Sequence, residues 1–195
     1  MNRIEDAKMT GGFISYTIPD KLSSNFCELL IDTCKGSFSE HSLVGGPNSK
    51  LRKGNTTFGN QSWVYDALWP CLDEANEAAG WNFDITGAED YQIATYKSGD
   101  FYGRHIDSIG THAARWHAPS NDALHNKARK ISLSVALNDP SEYEGGELDI
   151  YQTGIVSQSK GTMNFFPSYI PHEVKPVTKG TRYSLVVWFL GPPLK

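Results

Sequence analysis

A chain of 195 residues fits one domain, and 39% hydrophobic with 12% aromatic residues supplies a sizeable core, while 21% charged residues is ordinary for a folded protein and argues against disorder. Eighteen Lys plus Arg against 22 Asp plus Glu leave a net charge of -4, which disfavours nucleic acid as the main partner. Charges at Arg3, Glu5, Asp6 and Lys8 argue against an apolar signal core in Met1 to Thr10, no apolar run approaches a membrane span, and Cys27, Cys34 and Cys71 form no CxxC pair, so the expectation is a single cytoplasmic domain over 1–195 with no membrane partner.

Between Pro19 and Gly36, Leu22, Phe26, Leu29, Leu30 and Thr33 recur at helical spacing, with Asp20 as the expected N-cap and Gly36 as the end. His41 to Asn60 is rich in Gly, Asn, Ser and Lys and reads as loop. A second helix is expected through Val64, Leu68, Cys71, Leu72, Ala75 and Ala79 to Gly80, kinked or divided by Pro70. After Asn82 the pattern changes to short β-like runs: Tyr91 to Lys97, Phe101 to Asp107, Lys130 to Asn138, Glu147 to Gln152, Gly161 to Phe166, His172 to Val177 and Arg182 to Leu190. The order, helices and then strands, predicts a mainly β fold with flanking helices (α+β). Its core is a double-stranded β-helix, or jelly roll, over about 83–191, packed on helical support over about 1–82. Ser108 to Arg129 interrupts the strands with His112, Trp116, His117, Pro119 and His125, a length that in compact domains goes with functional or mobile loops.

In Tyr102-Gly-Arg-His105-Ile-Asp107 an imidazole and a carboxylate stand two residues apart, a spacing that in a strand turns both to one face. A third ligand is available at His172, which opens a later β-run behind Pro171. Two histidines and one carboxylate leave three open positions on an octahedron and suit non-heme iron(II). Alone, a His-x-Asp is more often a surface hydrogen-bonded pair, and the same ligands also suit zinc. Arg182 heads an otherwise apolar strand, and a cation there needs a partner; its planar fork matches a dicarboxylate.

These segments resemble the prolyl 4-hydroxylase group of 2-oxoglutarate and iron(II) dependent oxygenases, close to the bacterial PKHD-type branch. The resemblance runs from Tyr91 to Leu190, about half the chain, and only weakly into the helical part. It rests on Tyr96-Lys-Ser-Gly-Asp-Phe-Tyr102-Gly-Arg-His105-Ile-Asp107, on Lys130 to Asn138 followed by Glu144-Gly-Gly-Glu-Leu148, and on Gly161 through His172-Glu-Val-Lys-Pro-Val177 to Gly180-Thr-Arg182 and Trp188.

The resemblance implies Fe(II) held by His105, Asp107 and His172, 2-oxoglutarate held by Arg182 with Tyr96 lining its pocket, O2 as co-reactant and ascorbate as reductant. Many relatives carry a tyrosine on the central strand where this chain has Ala136; Ser132 and Ser134 share that face and offer hydroxyls in its place. Tyr102, Arg104, Arg115 and Trp116 are candidate substrate contacts, each with an ordinary packing or surface role as the alternative. The loop histidines read as solvated residues ahead of a second metal site, and Gly145 and Gly146 as a turn that a β-carbon would obstruct. The implied activity is hydroxylation of a prolyl residue in a peptide or protein with release of succinate and CO2. Alternatives are the same chemistry on another side chain, a free amino acid or a nucleobase, a zinc hydrolase, or a non-catalytic jelly-roll binding module; Asp107 argues against a halogenase, which needs a small residue there.

Overall fold

The computed structural model describes residues 13–35 and 51–195. In chain order these form β1 (Tyr16–Ile18), α1 (Ser24–Cys34), β2 (Arg52–Lys53), β3 (Asn55–Gly59), α2 (Ser62–Ala78), β4 (Gly87–Ala88), β5 (Tyr91–Lys97), β6 (Phe101–His105) and β7 (Ala128–Ala136). There follow β8 (Tyr143–Gly145), β9 (Leu148–Ile150), β10 (Gly154–Ile155), β11 (Met163–Pro167), β12 (His172–Val174) and β13 (Val177–Gly191). The expected fold class, mainly β with flanking helices, is the one observed.

The strands make two antiparallel sheets. The larger runs β1-β11-β7-β13-β5-β3, with β4 and β8 also paired to the long β13; the smaller runs β10-β9-β12-β6-β2. Strand alternation divides the larger sheet into two unlike faces. Ile131, Leu133 and Val135 of β7, Leu185, Val187 and Phe189 of β13 and Ile93 of β5 point to the helices, where they bury with Leu30, Val64, Leu68 and Leu72. At about 1.5–3 kcal/mol for each large apolar side chain fully removed from water, this layer dominates the stability. The opposite face carries Ser132, Ser134, Arg182 and Ser184, all buried, and meets a smaller apolar cluster that includes Tyr96, Leu148, Ile150, Phe166 and Val174. The polar inner face and the narrower apolar cluster leave the space between the sheets to the site.

Several boundaries differ from the sequence expectation. Helix α1 starts at Ser24 with Ser23 as its cap, the Phe26 amide donating to Ser23 Oγ at 3.2 Å; Asp20 lies upstream with φ 47° and bonds Thr162 instead. Leu29, counted in the apolar stripe, is exposed, and Cys27, Leu30 and Cys34 form the buried face. Gly36 and residues 41–50 lie outside the described residues. Pro70 does not divide α2, which runs unbroken with Val64, Leu68, Cys71, Leu72 and Ala75 buried. Residues 52–59, expected as loop, form β2 and β3, because the larger sheet's edge and the smaller sheet's edge both accept a short partner there. Among the described residues no helix is long and apolar enough to cross a membrane.

Candidate metal centre and adjoining cavity

Strands β6 and β12 bring the first two candidate ligands together: His105 and His172 are direct cross-strand partners, with ring centroids 4.3 Å apart. Chain just beyond β6 then supplies Asp107, whose amide donates to the Ser168 carbonyl at 2.9 Å. One donor atom from each of the three residues fits within 4.8 Å, the spacing of a set that could hold one metal ion. His105 Nε2 lies 3.6 Å from Asp107 Oδ1, and His172 Nε2 lies 3.5 Å from Asp107 Oδ2.

Each imidazole is oriented from behind. His105 Nδ1 lies 2.8 Å from the Gly103 carbonyl and His172 Nδ1 lies 3.0 Å from the Ile170 carbonyl, so Nδ1 carries the proton and Nε2 presents a lone pair to the centre. Tyr102 stacks on His105 at 3.5 Å between centroids, and Phe166 packs against His172 at 4.6 Å. Ser132 Oγ donates to Asp107 Oδ2 at 2.7 Å and is itself 2.9 Å from Ser168 Oγ. Burial works to raise the Asp107 carboxyl; the adjoining His105 and His172 and the hydrogen bond from the Ser132 hydroxyl outweigh it and hold the group below the usual carboxylate range. Burial also depresses His172, opposed by Asp107, and favours the neutral ring that a metal requires.

The cavity next to the three residues is walled by Gln92, Tyr96 and Ser134 on the larger sheet and by Tyr102 and Leu148 on the smaller. Ser184 also lines it, and behind Ser184 on the same face of β13 stands Arg182, 1% exposed. The guanidinium donates to Ser184 Oγ at 3.1 Å and to Gln158 Oε1 at 3.3 Å, while its Nε and the hydroxyl of Tyr143 are buried with no hydrogen-bond partner among the described residues. No carboxylate among the described residues pairs with Arg182. A buried cation with no counter-ion among the described residues, flanked by orphaned donors, fits an anionic group supplied by a ligand. Gly146 packs so closely on this arginine that an added Cβ would lie 2.9 Å from its Cδ, and Gly146 also holds φ at +71°, so the Gly-Gly turn expected from sequence has a second use here.

The other residues singled out in the sequence separate. Tyr96, Tyr102 and Ser134 reach the cavity, but Ser132 does not line it, its hydroxyl being directed at Asp107. Arg104, next to the inward-facing His105, is turned to the outer surface by strand alternation, where it meets Glu173 at 2.9 Å and Asp149 at 3.7 Å, and the irregularity in the β6–β12 register between His172 and Val174 is what lets Tyr102 reach the side of His105. Arg115 and Trp116 line a separate depression that begins at Asp107 and Ser108. Trp116 Nε1 donates to Glu89, which also takes a bidentate pair of bonds from Arg129 at 2.6 and 2.7 Å. His117 and His125 meet edge to face with centroids 5.8 Å apart, and no third ligand joins them among the described residues. Sequence reasoning missed Gln158, Tyr143 and Ser168. Ser184 was accessible to it, being two residues from Arg182 on one strand face, whereas the other three approach from separate segments with no local signal.

Residues 91–190 match the family model described as the 2OG-Fe(II) oxygenase superfamily. A PKHD-type hydroxylase of Psychrobacter sp. (strain PRwf-1) is 35% identical over 99 residues, which is 49% of this chain and 36% of the relative, so the match spans little more than a third of that protein's length. The fold is similar to that of a Pseudomonas putida prolyl-4-hydroxylase, with a TM-score of 0.68 at 20% identity over 93% of this chain and 94% of the other. It is also similar to a viral collagen prolyl hydroxylase from Paramecium Bursaria Chlorella virus-1, solved with 2OG, with a TM-score of 0.67 at 24% identity over 92% of this chain and 97% of the other.

Proposed function

Because the chain belongs to the 2OG-Fe(II) oxygenase superfamily, we propose that His105, Asp107 and His172 hold iron(II), that Arg182 binds the far carboxylate of 2-oxoglutarate, and that residues 1–195 work as one dioxygenase domain on a prolyl residue of a peptide or protein. The observation that carries this reading is the pairing of two unsatisfied features in one inter-sheet space. A converging His-Asp-His set stands at one place, and a buried arginine without a counter-ion among the described residues stands behind the wall of the same cavity. Zinc hydrolysis on the same ligands would leave Arg182 without a purpose.

Iron(II) with 2-oxoglutarate and O2 supplies oxidative decarboxylation to succinate and CO2 coupled to insertion of one oxygen atom into a C–H bond. The chain's own residues set the conditions for it. Carbonyls of Gly103 and Ile170 fix the histidine tautomers, Ser132 fixes the carboxylate, and Tyr102, Phe166 and Leu148 keep water from the centre. Ser134 and Tyr96, both on the cavity wall, complete the cosubstrate pocket, which Ala136 does not line. Ascorbate serves as reductant. Three free, buried cysteines suit a reducing compartment. A prolyl substrate is supported by the similarity to prolyl hydroxylases in fold and to a PKHD-type hydroxylase in sequence. The test supplies proline-rich peptides, free proline and short oligonucleotides in parallel, and measures substrate-stimulated succinate with a one-oxygen mass gain. Gain on the free amino acid or the nucleobase, with peptides inert, overturns the prolyl assignment and leaves the dioxygenase chemistry standing.

A further inference from the structure

Three depressions follow one another across the surface from the metal centre. The first shares Asp107 with the metal cavity and is walled by Arg115, Trp116 and Arg129. The second takes Trp116 as common wall and adds Phe58, Leu124 and Asp90. The third shares Asp90 with the second and is closed by Tyr65, Asp66 and Trp69 of α2 and its surroundings. Phe58 is 60% exposed and Trp116 40%, so two large aromatic faces are left in water along one track. Such a track, continuous with a reaction centre, is a surface kept open for a ligand and not a packing fault.

Charge along the track is one-sided. Glu89 is consumed by Arg129 and Trp116, but Asp66 and Asp90 are exposed and have no ion-pair or hydrogen-bond partner among the described residues. No Lys or Arg lines the second or third depression, while Arg115 and Arg129 stand only at the end beside Asp107. An extended chain laid along it would meet aromatic rings suited to prolyl and apolar side chains, then carboxylates suited to cations. A phosphate backbone would meet the wrong charge.

We propose that the substrate is an extended polypeptide carrying basic side chains on one side of the oxidised residue, seated on Trp116 and Phe58 and held at its basic end by Asp90 and Asp66. The proposal rests on the metal-centre assignment above for the position of the reacting residue, but the track and its charge are independent of which residue is oxidised.

The experiment uses the protein loaded with Fe(II) and 2-oxoglutarate without oxygen, so that binding is read without turnover. Fluorescein-labelled proline–alanine peptides carry Lys-Lys or Glu-Glu at the N-terminal or the C-terminal end, and a single-stranded DNA oligonucleotide of similar length is the comparison. The expected result is that Lys-Lys at one end only tightens binding roughly threefold to tenfold over Glu-Glu, as two exposed ion pairs would. That advantage disappears in the Asp66→Asn/Asp90→Asn double variant and at high ionic strength, and Phe58→Ser weakens both peptides alike. Equal binding of the two peptides, a preference that survives the double variant, or tighter binding of the oligonucleotide overturns the proposal. Oxygen gain on proline is measured separately on the same peptides. A charge preference lost in the double variant, with no oxygen gain on proline, supports the track and removes the prolyl assignment; hydroxylated proline with no charge preference does the reverse.

Discussion

The hydroxyl of Ser132 donates to Asp107 Oδ2 and shares a second hydrogen bond with Ser168, and both serines are wholly buried. Losing that bond leaves the carboxylate free to rotate against the two imidazoles, so Ser132→Ala is expected to weaken iron(II) binding by about 10- to 100-fold, read by chelator competition, with the fold retained. Arg182→Ala removes the cation proposed for 2-oxoglutarate, costing about 2–4 kcal/mol in its binding, and Arg182→Lys is intermediate because it keeps charge and loses the fork. Titration of 2-oxoglutarate dependence in both variants checks this; no change in either places the carboxylate elsewhere. The juxtaposition of His105 and Asp107 was legible as a local spacing, and the isolated charge of Arg182 as a break in an apolar strand, whereas the arrival of His172 beside them was expected from the family resemblance. Ser132 was legible as an inward-facing hydroxyl but not as the partner of Asp107, since its neighbour arrives 25 positions away in the chain and only the folded sheet sets them together.

At the scale of elements, strands long enough to show alternation were readable, and short ones were not. β5, β7 and β13 carry several residues of each face, whereas β2, β4 and β10 have two residues each and no period to detect. Strand β6 shows both rules at once: alternation sends Arg104 outward beside the inward-facing His105, while the register shift in β6–β12 brings Tyr102 to the side of His105 so that both serve the centre. The turn after β8 offers a test of how tightly elements define the site. Gly146→Ala places a methyl group against Arg182 Cδ and Val177 Cγ2, at 2.9 and 2.8 Å, in a left-handed conformation that alanine resists. We expect it to raise the 2-oxoglutarate requirement several-fold while iron affinity, measured in parallel, changes little. Equal losses of both would mean that the turn supports the whole sheet and not the arginine.

For the whole molecule, burial places a common limit on alkaline stability. It pushes the Cys27 thiol up to about 11 and the Tyr65 and Tyr91 hydroxyls up to about 12, and raises Cys34 and Cys71 as well. Unfolded, these thiols lose their protons near 9 and the phenols near 10, before the folded chain releases them. Between those values and the raised ones the unfolded state binds fewer protons, so stability is intact below about pH 9 and falls as pH rises through the window up to the folded values. Melting temperature followed from pH 8 to pH 11 should fall, and Tyr65→Phe should shallow the slope. The mainly β class packed on helical support was legible from the order of patterns, since helices come first and strands after; which strand residues meet the helices was not, because no spacing within either announces the other. One feature of the site extends to the molecule's thermal behaviour. Arg182 is a buried charge with no carboxylate partner among the described residues, so on the proposed role the empty protein folds against an electrostatic penalty that a bound dicarboxylate would cancel. By mass action a ligand at a hundred times its Kd adds about 2.7 kcal/mol to the folded state. In a calorimeter, succinate or 2-oxoglutarate should therefore act as a thermal protectant where acetate does not, and Arg182→Met should melt higher than Arg182→Lys when no dicarboxylate is present.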